Sequence, residues 1–378
     1  DHRDLHSFPT RRSSDLIAGI VLAAGYSSRM KECKALLPIG DESLLERAVR
    51  ALSESGVDPV FVVIGARPEI RTYAERMNVR ILENPHFHSG MFSSVRTGIA
   101  EILQNPSPVF VLPVDVPLLR KQTISHLRSL PSCDSFIHVP VFCGRSGHPP
   151  LIGREVLEPV FSWGGENGLR GFLEVHPEFV RPVPVPDAGI IFDTDTSVEL
   201  DRCRILETSR AAFPSKSECR AIWDMAATPV AVRRHCHIVA HVVRVFGRIV
   251  EREIPVDLRL LDRAARLHDM RKGVAHHAGM GASFLRYWGF SKLASLVEHH
   301  QDPSDDSIEE EILSLADKMV FGERIVSLEW RRQDLYRRFS DPIAIAAGEK
   351  RLSKATETLR KIERLASMEV REFLSLHS

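Results

Sequence analysis

The chain has 378 residues, 43% of them hydrophobic, which is enough for two domains with separate cores. Lys+Arg and Asp+Glu each number 50, so the formal net charge is zero and gives no general electrostatic reason to bind nucleic acid or an anionic membrane. No apolar run approaches the roughly 18–20 residues that cross a bilayer, and the six cysteines include no C-x-x-C pair, so free thiols in a cytoplasmic protein are the expectation.

Residues 1–15, DHRDLHSFPTRRSSD, lack the apolar segment of a signal peptide and show no period. They read as a non-native leader of translated adaptor type, or as a disordered arm. From residue 16 the pattern alternates strand and helix. IAGIVLA (17–23) is a buried strand, and ESLLERAVRALSESG (42–56) a helix with Leu45, Ala48, Val49 and Leu52 on one face and Gly56 as its stop. A strand over 59–65, a helix over 67–78, a strand over 79–84 and a helix over 91–103 follow. PVFVLPVD (108–115) is an apolar strand that ends on an acid. Such strands, separated by single helices, predict a mostly parallel sheet in an α/β domain over 16–205. Ligands in such sheets bind beyond the carboxyl ends of the strands.

Residues 206–224 are polar and read as a linker or connecting helix. From 225 to 378 the strand signal disappears. Helices are expected over 228–248, 256–269, 280–287, 291–300, 308–328 and 341–376, the last a packing helix.

The stretch LAAGYSSRMKECKALLPIG (22–40) offers a receptor for phosphate oxygens. Leu22, Ala23, Ala24 and Gly25 are small or apolar residues whose backbone can approach a ligand. Ser27 and Ser28 add hydroxyls, and Arg29 and Lys34 add fixed cations. The loop is neither a Walker P-loop nor a G-x-G-x-x-G fingerprint. Downstream, Asp115 at its strand end can hold Mg²⁺ against a triphosphate. Ser93 and Ser94, at a helix start, suit base or ribose contact, though an ordinary helix N-terminus reads the same way. Asp195, in DTDT, can complete the Mg²⁺ site or cap a helix.

In order, LAAGYSSRMKECKALLP, NPHFHSGMFSSVRTG, PVDVPLL, SGHPPLI, ENGLRGFL and FDTDT resemble the molybdenum cofactor cytidylyltransferases, within the molybdopterin nucleotidyltransferases. The resemblance implies a Rossmann-like domain and Mg²⁺-dependent transfer of CMP from CTP to the cofactor's terminal phosphate. By position it gives Arg29 and Lys34 to the triphosphate and Asp115 and Asp195 to Mg²⁺, and it places His148 near the pterin acceptor. Lys31 stands where the family usually has Gly. The chemistry joins two anions, so fixed cations and Mg²⁺ are expected to carry it, with no nucleophilic side chain. A sugar or polyol phosphate is the alternative acceptor. Handing finished cofactor to a molybdoenzyme partner is compatible with this reading and leaves no mark in the sequence.

In the helical half, His235, the His268–Asp269 pair and Asp317 suit a divalent metal gathered from several helices. The ordered series resembles the HD domain of metal-dependent phosphohydrolases, over about 228–330. Its longer form adds His277 and His300, with His276 and His299 as neighbours that leave the register open by one. The resemblance implies an all-α domain, one or two divalent transition-metal ions bridged by Asp269, and Lys272 on substrate phosphate. It implies hydrolysis of an unidentified phosphate ester, the metal lowering the pKa of water. His237 and His241 read as packing or surface residues, since no H-E-x-x-H accompanies them. The alternative is a non-catalytic nucleotide sensor or docking module.

Overall fold

The computed structural model describes residues 16–25, 33–65, 67–131, 133–164, 166–210, 213–304 and 306–366. The chain forms two compact units, Asp1–Thr208 and Ser209–Ser378. The leader expectation for residues 1–15 lies outside the described residues.

The first unit runs β1 (Ala18–Ala23), a hairpin of β2 (Pro38–Ile39) and β3 (Glu42–Ser43), α1 (Leu44–Ser53), β4 (Val60–Ile64), α2 (Pro68–Ala74), β5 (Arg80–Glu83), α3 (Met91–Ile102), β6 (Val109–Pro113) and α4 (Lys121–Arg128). It continues with β7 (Ile137–Phe142), β8 (Arg145–Ser146), β9 (Leu151–Ile152), α5 (Leu157–Ser162), α6 (Gly168–Val175), β10 (Val180–Pro184) and α7 (Ser197–Arg210). One eight-stranded sheet dominates, in the order β10-β7-β9-β6-β1-β4-β5 with β8 paired to β7. β1 pairs in parallel with β4 on one side and β6 on the other. β9 runs antiparallel between β6 and β7.

Every residue of β1, β4 and β6 is buried. This is why these strands are continuous apolar runs rather than alternating ones: both faces of a parallel sheet are covered. α1 starts where a capping box forms: Ser43 Oγ accepts from the Glu46 backbone N–H, and Glu46 reaches back to the Ser43 N–H. It ends before Gly56, whose φ of 74° ordinary residues rarely adopt. α3 lies close on β1, because a Cβ at Gly98 would stand 2.6 Å from Ile20 Cδ1.

The second unit comprises α8 (Lys216–Met225), α9 (Val230–Val250), α10 (Leu258–Leu267), α11 (His277–Tyr287), α12 (Ser291–His299), α13 (Ile308–Lys318), β11 (Val320–Phe321), β12 (Arg324–Ile325), α14 (Leu328–Arg338) and α15 (Pro342–Ala366). Trp288, Phe246 and Phe290 are fully buried in its core, each contributing roughly 2–3 kcal/mol of burial. Among the described residues no helix is long and apolar enough to cross a membrane.

One expectation is corrected. The helix expected over 308–328 stops at Lys318. Gly322, at φ 58°, turns the chain into the antiparallel β11–β12 hairpin, and a separate helix, α14, follows. Within the 206–224 stretch, residues 206–210 still belong to α7, and Lys216–Met225 forms α8 with its own capping box. Cys219, Ile222 and Trp223 of α8 are buried, and Trp223 Nε1 donates to the Arg266 carbonyl.

Candidate active sites

In the first unit the chain passes from β1 to β4 and β5 on one side of the sheet, then crosses to β6 on the other. Such a reversal opens a crevice beyond the strand ends. A cavity of about 410 Å³ lies there. Leu22, Ala23, Ala24 and Gly25, at the end of β1, form one wall, and Val114 and Asp115, after β6, another. Ser27, Ser28, Arg29 and Lys31 lie outside the described residues.

Lys34 and Asp195 complete the polar end of the cavity. Lys34 Nζ donates to Asp115 Oδ2 at 3.0 Å and to Asp195 Oδ1 at 2.7 Å. Burial works against the ammonium, but the two carboxylates outweigh it and raise the Lys34 pKa. Burial and the charges of Asp195, Glu199 and Asp115 raise Asp193. Among the described residues, Asp115, Asp193 and Asp195 thus all act on the Lys34 ammonium or on one another. Two carboxylates converging on one cation fit Mg²⁺, which takes one or two protein acids and the rest of its ligands from phosphate and water.

Ser94 lines the cavity with Gly90 and Met91, at the first turn of α3. Ser93 is not among the lining residues; its hydroxyl donates to the Gly90 carbonyl. Both serine oxygens accept from Asn84 Nδ2, at 2.8 and 2.9 Å. Buried Asn84 is thus a positioning residue that sequence reasoning missed, although it heads the N-P-H-F-H turn. His148 does not line the cavity. Burial lowers its pKa against the pull of Asp115, and its buried Nδ1 has no hydrogen-bond partner among the described residues.

The second site is built at helix ends. Two groups share Asp269: His235, His268, Asp269 and Asp317 form one, and Asp269, His277 and His300 the other. Asp269 Oδ2 lies 3.5 Å from His268 Nε2 and 3.9 Å from His235 Nε2. Its other oxygen, Oδ1, lies 3.2 Å from His277 Nε2 and 3.8 Å from His300 Nε2. Asp317 Oδ1 is 3.1 Å from His235 Nε2 and 3.4 Å from His268 Nε2. One carboxylate thus faces two nitrogen clusters, the donor set that a pair of divalent transition-metal ions would use.

The rings are held from behind. His268 Nδ1 meets the Ala265 carbonyl at 2.8 Å, His300 Nδ1 the Val297 carbonyl at 2.7 Å, and His235 Nδ1 the Gly322 carbonyl at 3.2 Å. A donor hydrogen on Nδ1 leaves the Nε2 lone pair turned to the cluster. Burial opposes the charge on Asp269, yet His268 and His277 hold it well below the usual carboxylate range. Lys272 Nζ pairs with Asp269 Oδ2.

The register left open in the sequence closes on His277 and His300. His276 is instead the left-handed residue before α11, and His299 pairs with Glu310. His237 packs edge-on against Trp223 and beside Arg266.

The chain thus joins an α/β nucleotidyltransferase unit to a helical unit that gathers a candidate metal-ligand set. Residues 19–180 match the MobA-like NTP transferase domain, and residues 232–321 match the HD domain. The chain belongs to the MobA-like NTP transferase family and carries an HD domain in addition. The molybdenum cofactor cytidylyltransferase of Escherichia coli (strain K12) is 26% identical over 179 residues, 47% of this chain and 90% of that protein. The nicotine blue oxidoreductase of Paenarthrobacter nicotinovorans is 30% identical over 196 residues, 49% of this chain and 95% of that protein. The crystal structure of Rv0371c from Mycobacterium tuberculosis H37Rv aligns with a TM-score of 0.44 at 23% identity, over 50% of this chain and 98% of that one.

Proposed function

We propose that the first unit transfers CMP from CTP to the phosphate of a molybdopterin-type cofactor and releases pyrophosphate, and that the second unit hydrolyses a phosphate ester. The observation that carries the first half is Lys34 held between Asp115 and Asp195 at the mouth of a cavity walled by the 22–25 loop. Similarity to a protein named molybdenum cofactor cytidylyltransferase, over 90% of its length, supports the choice of nucleotide and acceptor.

The reaction brings an acceptor phosphate against the α-phosphorus of a triphosphate. Both are anions, and charge builds on the departing pyrophosphate. In this reading Lys34 moves from its carboxylate partners onto the triphosphate and neutralises that charge, and Asp115 and Asp195 are left to hold Mg²⁺. A Mg²⁺ held by these two carboxylates would offset the repulsion between the phosphate groups. Arg29, Ser27 and Ser28 add contacts to the triphosphate, Ser94 reaches the base or ribose, and His148 stands on the acceptor side. No side chain forms a bond to phosphorus.

In the second unit His235, His268, Asp269, His277, His300 and Asp317 would hold the metal, which supplies water of lowered pKa when bound. Lys272 then leaves Asp269 for the substrate phosphate. The four imidazoles and one carboxylate gathered around Asp269 support hydrolysis over a sensor role, which needs no such ligand set.

The test of the first half is Asp115→Ala. The variant is expected to stay folded and to lose Mg²⁺-dependent pyrophosphate release from CTP plus molybdopterin, measured with a coupled phosphate assay. Wild-type turnover by this variant removes the assignment. If pyrophosphate appears only with sugar or polyol phosphates, the reaction class stands and the acceptor changes.

A further inference from the structure

α14 begins at Leu328, beyond residue 321, where the HD match ends. It nevertheless reaches the metal-ligating cluster. Arg331 Nη2 donates to the carbonyls of Val320 and Asp317, at 3.3 and 3.5 Å, and its guanidinium lies 5.5 Å from the centre of the Phe321 ring. Arg338 follows about two helical turns later on the same face.

That face closes a cavity of about 320 Å³. His235 and Lys272 stand in its wall, so it opens directly on the cluster. Its ionisable lining is Lys272, Arg331, Arg338 and His235, with no carboxylate among the described lining residues. Val232 and Phe321 are among its apolar walls. Among the described residues Arg338 pairs with one acid, Asp334 Oδ2 at 3.6 Å, and more than half of its side chain is exposed, so that pair is readily exchanged for another anion.

We propose that α14 is the substrate clamp of the helical site. Arg338 and Arg331, with Lys272, hold the phosphoryl group of an organic phosphomonoester, and its apolar or aromatic body lies against Phe321 and Val232. Guanidinium forks suit phosphate oxygens. Arg331 over the Phe321 ring and Trp330 beside it, with ring centroids 4.9 Å apart, hold that ring in place as an apolar wall. A volume of 320 Å³ with apolar walls suits a small organic ligand, whereas inorganic pyrophosphate would leave those walls unfilled. The clamp rests on the phosphohydrolase reading for turnover, but not for binding.

The experiment is calorimetry on the full chain with two probes, inorganic phosphate and phenylphosphonate, whose phosphorus–carbon bond resists hydrolysis. Wild type is expected to bind phenylphosphonate about tenfold more tightly, from burial of the ring. Arg338→Glu should weaken both probes by about tenfold or more, with bound metal unchanged. Phe321→Ala should remove only the advantage of the phenyl group, and Arg331→Lys, which keeps the charge, should lie between wild type and Arg338→Glu. Equal binding by wild type and Arg338→Glu, or equal affinity for the two probes, overturns the clamp. A wild type that binds phenylphosphonate as expected but hydrolyses neither 4-nitrophenyl phosphate nor nucleotide phosphates supports the clamp and removes the hydrolase reading.

Discussion

The two candidate sites are built by opposite means. The first is assembled from loops beyond strand ends, and one ammonium stands between carboxylates that a substrate and Mg²⁺ would engage. The second is carried on helices, with His268 and Asp269 almost wholly buried and three of its imidazoles oriented by backbone carbonyls. A site finished by its substrate can be open and loop-borne. A site that must hold metal between turnovers needs its ligands fixed beforehand.

The sharpest break in this comparison is Asp269→Ala. Because both nitrogen groups depend on Asp269, both metal positions should empty together, with hydrolase activity falling by about a thousandfold or more. Metal analysis by mass spectrometry reads the loss, and cytidylyl transfer should persist. Metal retained at full stoichiometry would falsify the shared-carboxylate site.

Lys34→Gln addresses the other site. It should lower pyrophosphate release about a hundredfold through lost stabilisation of developing charge, with the metal content of the helical unit unchanged. A wild-type rate in steady-state assays would place the triphosphate elsewhere.

A smaller effect separates the units by pH. Burial raises the Asp262 carboxyl, but Arg266 and Arg263 outweigh it and hold its pKa below the ordinary value. A depressed folded pKa stabilises above the unfolded value near 4 and is lost as pH falls through the folded value. Asp262→Asn should therefore lower the stability of the helical unit at neutral pH by about 2 kcal/mol. Its denaturation midpoint should also vary less with pH below about 4 than that of wild type. Parallel pH curves for the two proteins would contradict the pairing. The smallest change is Ser43→Ala, which removes the α1 capping box and should cost about 1 kcal/mol in thermal unfolding, without altering either activity.

Much of this was legible in the sequence because local pattern and tertiary role agree. The apolar runs at 17–23, 59–65 and 108–115 are buried strands, and His235, His268, Asp269 and Asp317 converge as their order suggests. What escaped depends on distant contacts. Asn84 is a positioning residue only because α3 brings Ser93 and Ser94 to its amide. The carbonyl behind His235 comes from Gly322, in a hairpin of two-residue strands too short to carry a period. β7 and β10 contain prolines, which mask strand character, yet they pair with each other in parallel. Arg331 and Arg338 look like a solvated helix face until the fold sets them in the cavity beside His235.

Whether one chain carries two separate phosphate chemistries is decided by its pyrophosphate release. CTP and GTP should be compared side by side with molybdopterin and Mg²⁺, in wild type and in Asp269→Ala. Faster release with CTP is expected, at equal rates in the two proteins. No release with either nucleotide, or a rate that collapses in Asp269→Ala, contradicts that expectation.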